Sequence, residues 1–109
     1  MKRVLFDENM PRKLRRDLPV FRVRSAQEEG WSAFKNGDLL RRAAVTFDVF
    51  VTIDQRIRYQ QNVTRLQIGI VVIEVPDTRL AHLRPLVPQL SDAIETVRPG
   101  QVVVVKPTI

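Results

Sequence analysis

Five short segments that favour β-structure recur along the chain, and segments with helical patterning separate them. They are built mainly of apolar and β-branched residues, with arginines interspersed in the second. Their ranges are 2–6, 20–24, 48–53, 68–75 and 102–105. Short buried strands that alternate with helices are typical of an α/β domain whose mostly parallel sheet is covered on both faces. We therefore predict a mostly parallel five-stranded sheet.

The segments between these predicted strands carry apolar residues at helical spacing. Pro11 suits the first turn of a helix that Pro19 ends, and a second helix opens at residues 36–38. The stripe of the second helix is formed by Leu39, Leu40, Ala43, Ala44 and Phe47. A third stripe runs over residues 80–97 with spacings of three and four, and Pro85 and Pro88 are expected to break or kink it.

Length and composition limit the class of protein. With 109 residues and no internal repeat or linker, we predict a single domain over residues 1–109. No apolar run approaches the roughly 18 residues that span a bilayer, so we expect a cytoplasmic protein with no membrane partner. The chain lacks cysteine, which excludes disulfides and thiolate metal sites, so a metal would be held by oxygen or by His82, the single histidine.

The balance of charge favours an acidic partner. The formal net charge is +6, with 18 basic and 12 acidic residues. A positive surface attracts phosphate backbones by a salt-sensitive mechanism that does not depend on base sequence. The alternative is an ordinary solvated surface that is rich in arginine, and charge alone only modestly favours a nucleic acid.

Three acidic residues are expected at the carboxyl ends of the strands, where open parallel sheets bind ligands. Asp7 and Asp54 each follow a predicted strand, and Asp38 stands at the start of a helix that points back to the same edge. Clustered carboxylates repel one another unless a cation neutralises them, and Mg²⁺ or Mn²⁺ suits an all-oxygen site. Alternatively, Asp7 only caps the loop before Pro11. In that case Asp38 is an ordinary acid in the first turn of a helix and Asp54 is a turn residue.

Three motifs stand out along the chain: residues 5–11 (LFDENMP), residues 36–40 (NGDLL) and residues 51–55 (VTIDQ). They resemble motifs of a family of small bacterial PIN-like proteins, some of which are regarded as toxins of toxin–antitoxin pairs. Residues 54–62, followed by the apolar residues 70–72, are similar to one branch of that family. The match runs along most of the chain. The opening motif and the Thr-x-Asp are specific together, although either alone is weak.

The resemblance implies a fold, an activity and a set of partners. The fold is a three-layer α/β/α sandwich, and the activity is that of a ribonuclease that depends on Mg²⁺ or Mn²⁺. Asp7, Asp38 and Asp54 are then both the catalytic residues and the metal ligands. The expected partners are RNA and an antitoxin protein. A homodimer is compatible with this interpretation, but the sequence does not fix the oligomeric state.

One position departs from the family pattern. The family commonly has a second acid two residues after the one that matches Asp54, and this chain has Arg56 there. A cation at that place weakens metal binding or supplies a phosphate contact instead. We therefore assign Arg56 to substrate binding, together with the polar residues Asn9, Gln61 and Asn62.

Two alternative functions stay open. The first is a PIN-like module that has lost catalysis and only binds RNA or a partner protein, which Arg56 favours. The second is a receiver-like signalling domain, because Asp7, Glu8, Asp54 and Lys106 imitate the acids and the lysine of that class. Against a receiver, no Ser or Thr closes the fourth predicted strand.

Overall fold

Five parallel strands form one sheet in the computed structural model, which describes residues 1–59 and 65–107. They are β1 (Arg3–Phe6), β2 (Arg22–Ser25), β3 (Val49–Thr52), β4 (Gly69–Ile73) and β5 (Val102–Val105). The strand order is β2-β1-β3-β4-β5, and each neighbouring pair is parallel. The predicted α/β class and five-stranded sheet are confirmed, and the sheet is wholly parallel where mostly parallel was predicted.

Helices fill the connections between the strands. α1 spans Asn36–Thr46, α2 spans Leu80–Leu83 and α3 spans Val87–Thr96. Short 3₁₀ segments cover Arg12–Asp17, Gln55–Tyr59 and Arg84–Leu86. The last of these separates α2 from α3 and contains Pro85, so the predicted break is present. In the described part of the chain, none of the helices is both long and apolar enough to cross a membrane.

Each face of the sheet carries its own apolar cluster, because side chains alternate between the faces along every strand. In β1, Val4 and Phe6 belong to a cluster with Leu83 and Leu90 of α2 and α3. Leu5, between them, belongs to the cluster that holds the buried side of α1. Strands buried on both faces are almost wholly apolar, which explains the run of β4 and that of β3, whose one polar residue is Thr52. The two clusters favour the predicted three-layer sandwich, which stays a prediction.

Two contacts fix α3 at the amino ends of the strands. A Cβ placed on Gly69, the first residue of β4, would lie 2.8 and 2.9 Å from the two Cγ atoms of Val97, so only glycine allows this approach. The Lys2 Nζ donates to the carbonyl oxygens of Ile94, Glu95 and Val97 at 2.9, 2.7 and 3.4 Å. A cation among the last carbonyls of a helix satisfies acceptors that the helix itself leaves unpaired.

Candidate site at the carboxyl ends of β1 and β3

The strand order reverses between β1 and β3. The chain passes from β1 to β2 on one side and then crosses to β3 on the other. Parallel sheets bind ligands at such switch points, beyond the carboxyl ends of the two strands. The Asp7 N–H donates to the Val51 carbonyl at 2.9 Å, so the residues that follow β1 and β3 lie side by side.

Asp7 is buried at this point. The residue is 7% exposed, and its carboxylate accepts hydrogen bonds from three donors. Oδ1 accepts the Glu8 N–H at 2.8 Å, and Oδ2 accepts the Thr52 hydroxyl at 2.6 Å and the Asn9 Nδ2 at 3.4 Å. The carboxylate is therefore held in a fixed orientation by neighbours on both strands.

Thr52 connects Asp7 to Asp54. Its side chain is fully buried, and its hydroxyl hydrogen points to Asp7. The same oxygen accepts the Asp54 N–H at 3.0 Å. Thr52 belongs to the sequence motif but was not among the predicted site residues. Its role could have been predicted, because it is a polar residue in an otherwise apolar strand, two positions before a predicted metal ligand, and a buried hydroxyl needs hydrogen-bond partners.

Asn9 supplies an unsatisfied acceptor next to this pair. Its Nδ2 lies 3.4 Å from both Asp7 Oδ2 and Thr52 Oγ1, and its Oδ1 is buried without a hydrogen-bond partner in the described residues. Turning the amide over would bring Oδ1 against the Asp7 carboxylate, so the Asp7 charge fixes this orientation. A buried acceptor left unpaired costs about 1–3 kcal/mol, and a donor or a cation would satisfy it.

Arg56 forms a bidentate pair with Asp54. Nε lies 3.0 Å from Oδ1 and Nη2 lies 2.9 Å from Oδ2. The Arg56 backbone N–H also donates to Oδ1 at 3.0 Å. The hydrogen bonds and the negative charge of Asp54 raise the pKa of the Arg56 guanidinium. The Asp54 side chain is 16% exposed whereas that of Arg56 is 86% exposed, so the arginine covers the acid from the solvent side.

Asp38 lies apart from the hydrogen-bond network of Asp7, Thr52 and Asp54. It is exposed in the first turn of α1 and pairs with Arg41 one turn later. In residues 1–59 and 65–107, no group of three or more Asp, Glu, His or Cys residues is arranged to hold a metal ion. The structure therefore links Asp7 and Asp54 through Thr52, and the three-acid site stays a prediction.

A small cavity borders Asp7 on the side of α1. Its volume is about 30 Å³, and its lining includes Asp7, Glu8, Ser32, Trp31 and Phe34. Leu39, the residue after Asp38, also contributes to the wall. A space of this size holds about one or two water molecules. The buried acid therefore faces a polar space that is too small for a nucleobase.

Glu28 anchors the loop that carries Trp31 and Phe34 to Ser25, the last residue of β2. The Glu28 Oε1 accepts the Ser25 N–H at 2.9 Å and an Arg15 Nη1 hydrogen at 2.8 Å, and its own N–H donates to the Ser25 hydroxyl. These hydrogen bonds lower the pKa of Glu28 to about 2, the Ser25 N–H first and Arg15 second, against a smaller opposing effect of burial. Glu28 is thus a structural ion that fixes the wall of the cavity.

Of the four residues predicted to bind substrate, the structure describes two. Gln61 and Asn62 lie outside the described residues. Gln55, next to Arg56, donates its Nε2 to the Ile73 carbonyl at 3.2 Å and so joins the segment after β3 to the end of β4. Asn9 and Arg56 are both within hydrogen-bond distance of a predicted catalytic acid.

The types of donor atom in the site suit a hard divalent cation. Asp7, Asp54 and the unpaired Asn9 Oδ1 are all oxygen ligands, which Mg²⁺ and Mn²⁺ prefer. The obstacle is Arg56, whose guanidinium already contacts both Asp54 oxygens. A cation can use the Asp54 carboxylate fully only when that contact opens.

Comparisons of the chain with protein-family models, with curated proteins and with solved structures found no match. The function is therefore inferred from the residues and from their geometry.

Proposed function

We propose that this chain is a divalent-metal-dependent ribonuclease of the PIN-like class, with its site at the switch point between β1 and β3. The observation that carries the proposal is the buried Asp7 carboxylate, which Thr52 joins to Asp54 beside the unpaired Asn9 Oδ1. Single acids at helix starts and turns are common. An acid buried with an unsatisfied oxygen next to it, at the place where such sheets bind ligands, is better explained by a cation.

Each residue has a defined task in this proposal. Asp7 and Asp54 hold Mg²⁺ or Mn²⁺, Thr52 orients Asp7, and the Asn9 Oδ1 completes the oxygen set. A bound divalent cation supplies positive charge that polarises a phosphodiester and favours its hydrolysis. Arg56 contacts an RNA phosphate. The net charge of +6 supports an RNA substrate, and an antitoxin protein as partner belongs to the same proposal.

Metal binding is the direct test. Millimolar Mn²⁺ should raise the melting temperature of the wild-type protein, because a ligand of the native state stabilises it by mass action. Asp7→Asn and Asp54→Asn should each abolish the increase. Asp92→Asn, which changes an exposed acid on α3, is the matched control and should keep it. The metal site is refuted if Mn²⁺ leaves wild-type melting unchanged.

Activity is the second test. With Mn²⁺, the wild-type protein should slowly cleave single-stranded RNA, and EDTA or Asp54→Asn should block the cleavage. The bidentate Arg56–Asp54 pair favours one alternative, an RNA-binding module without catalysis. That alternative takes the place of the nuclease if the protein binds RNA in a salt-dependent manner but cleaves none under any metal condition.

The strand order favours a third candidate. The order β2-β1-β3-β4-β5 is that of flavodoxin-like domains, which include receivers. β4, however, ends at Ile73 and is followed by Glu74, where a receiver would place a hydroxyl. Incubation with acetyl phosphate distinguishes the two, because a receiver would gain an acid-labile phosphoryl group on Asp54 and a nuclease would not.

A further inference from the structure

We propose that Arg56 is a displaceable internal counterion that occupies Asp54 until single-stranded RNA binds, so that RNA and the divalent metal bind cooperatively. This inference rests on the proposed function and adds to it the order in which the site is completed. It assigns both roles to one residue: in the free protein the arginine blocks the metal ligand, and in the complex it holds a phosphate.

The exposures of the two partners show which of them can move. The Asp54 side chain is 16% exposed, and the residue is fixed to the core because its backbone N–H donates to the buried Thr52 hydroxyl. Arg56 is 86% exposed, so its guanidinium can swing into solvent without disturbing the core. Opening the contact therefore moves a surface side chain and leaves the acid in its place.

The chemistry of the guanidinium makes the exchange favourable. Arg56 now uses two N–H groups on the two oxygens of a carboxylate. A phosphate presents a similar pair of anionic oxygens, and arginine binds either group through two parallel hydrogen bonds. Transfer from Asp54 to an RNA phosphate therefore keeps the bidentate interaction and removes the arginine from both oxygens of the Asp54 carboxylate. That carboxylate, once the arginine has left it, would be one of the residues that hold a divalent cation.

The surface around Arg56 suits single-stranded RNA. The 3₁₀ segment Gln55–Tyr59 also carries Arg58 and ends in Tyr59, which is 76% exposed. The Arg58 guanidinium lies 5.7 Å from the centre of the Tyr59 ring. Exposed aromatic rings next to basic side chains bind unpaired bases by stacking while the cations follow the backbone.

Arg58 provides a matched control because it lies two residues further along the same segment and pairs elsewhere. Its Nη1 lies 3.3 Å from the Gln55 Oε1 and 3.9 Å from a Glu74 carboxylate oxygen. Replacing Arg58 removes the same charge from the same surface and leaves the Arg56–Asp54 contact in place. An effect of charge alone therefore appears in both variants, and displacement from Asp54 appears only with Arg56.

The experiment is calorimetric titration with Mn²⁺, with and without a saturating 2′-O-methyl oligonucleotide that the wild-type protein is first shown not to cleave under the conditions of the titration. Titration of Mn²⁺ into the oligonucleotide without protein gives the background heat. For wild type, the oligonucleotide should tighten Mn²⁺ binding by about 5-fold or more, within the range typical of coupled sites. Because coupling is reciprocal, Mn²⁺ should tighten binding of the oligonucleotide by the same factor.

The Arg56 and Arg58 variants should differ in how the oligonucleotide affects their Mn²⁺ affinity. Arg56→Gln should bind Mn²⁺ more tightly than wild type does in the absence of the oligonucleotide, and the oligonucleotide should add nothing further. Its affinity for the oligonucleotide should fall, with the salt dependence reduced by about one ion. Arg58→Gln should lose a similar share of oligonucleotide affinity and keep the wild-type coupling.

Two results overturn the inference while leaving the proposed function in place. One is Mn²⁺ binding and RNA cleavage by wild type with no effect of the oligonucleotide on the Mn²⁺ affinity. The other is an Arg56→Gln variant that binds Mn²⁺ no more tightly than wild type. If wild type, Arg56→Gln and Arg58→Gln all fail to bind Mn²⁺ in either condition, the metal site itself is refuted and the inference falls with it.

Discussion

Replacement of Thr52 tests whether the hydroxyl that joins the two strand ends stabilises the fold. Thr52→Val keeps the shape of the side chain but removes the donor to the Asp7 Oδ2, at 2.6 Å, and the acceptor of the Asp54 N–H, at 3.0 Å. A hydrogen bond to a charged group contributes about 1.5–3 kcal/mol, and an unsatisfied buried N–H costs about 1–3 kcal/mol. The two effects share one atom and are not additive, so we expect a loss of about 2–4 kcal/mol.

Thr52→Ser makes the opposite change. It keeps the hydroxyl and deletes one buried methyl group, which costs about 0.5–1.5 kcal/mol. The free energy of unfolding should therefore decrease in the order wild type, Thr52→Ser, Thr52→Val. Thr46→Val, on the exposed last turn of α1, is the control for a threonine-to-valine change and should stay within about 0.5 kcal/mol of wild type.

Urea denaturation in EDTA measures these differences without a contribution from metal binding. The midpoint should shift while the slope stays constant, because the same surface is exposed on unfolding. If packing alone decided stability at this position, the serine variant would be the less stable of the two. A Thr52→Val protein that equals or exceeds Thr52→Ser in stability would refute the assigned hydrogen bonds.

Three further changes test the fold. Glu28 has a folded pKa of about 2 against an ordinary value of 4.5, because its carboxylate accepts the Ser25 N–H and an Arg15 hydrogen bond, so its contribution is fully present above pH 4.5 and is lost as the pH falls toward 2. Urea midpoints across this range should show the advantage of wild type over Glu28→Gln disappearing, and an advantage that persists at pH 2 would contradict the lowered pKa. Gly69→Ala should cost about 1–3 kcal/mol by overpacking, whereas Gly37→Ala, where a Cβ meets nothing within 4 Å, should be neutral or stabilising; equal melting temperatures would refute the close approach of α3. Lys2→Met should lower stability by about 0.5–2 kcal/mol through the loss of the cap on α3, and no change in thermal melting would mean that water satisfies those carbonyls equally well.

The fold could be predicted because its signals are local and repeated. Runs that are apolar at every position, as in β4, or at all but one, as in β3, indicate strands buried on both faces. Such strands require helices between them. The strand order could not be predicted in the same way, because it depends on the side of the existing sheet on which each connection places the next strand. Only the order shows that the residues after β1 and β3 are neighbours, and hence that Asp7 lies next to Asp54.

The candidate site was predicted in part. The positions of Asp7 and Asp54 follow directly from strand ends. The direction of Asp38 depends on the phase of α1, in which Leu39 and Leu40 are buried and Asp38 therefore turns outward, toward Arg41. The hydrogen-bond pattern needs coordinates, because residue spacing alone does not determine which oxygen of Asp7 each donor reaches.

The contacts of Lys2 have a consequence for folding. They join the second residue to carbonyls 92, 93 and 95 positions later in the chain, and β1 itself lies between two strands that are made after it. The first strand therefore reaches its final environment only after α3 exists, so in a chain emerging from the ribosome β1 stays incompletely packed until α3 has been made. Topologies with such distant contacts fold more slowly than helical proteins of the same length. Truncation just before α3 should accordingly leave the whole sheet unfolded, and not only its last strand.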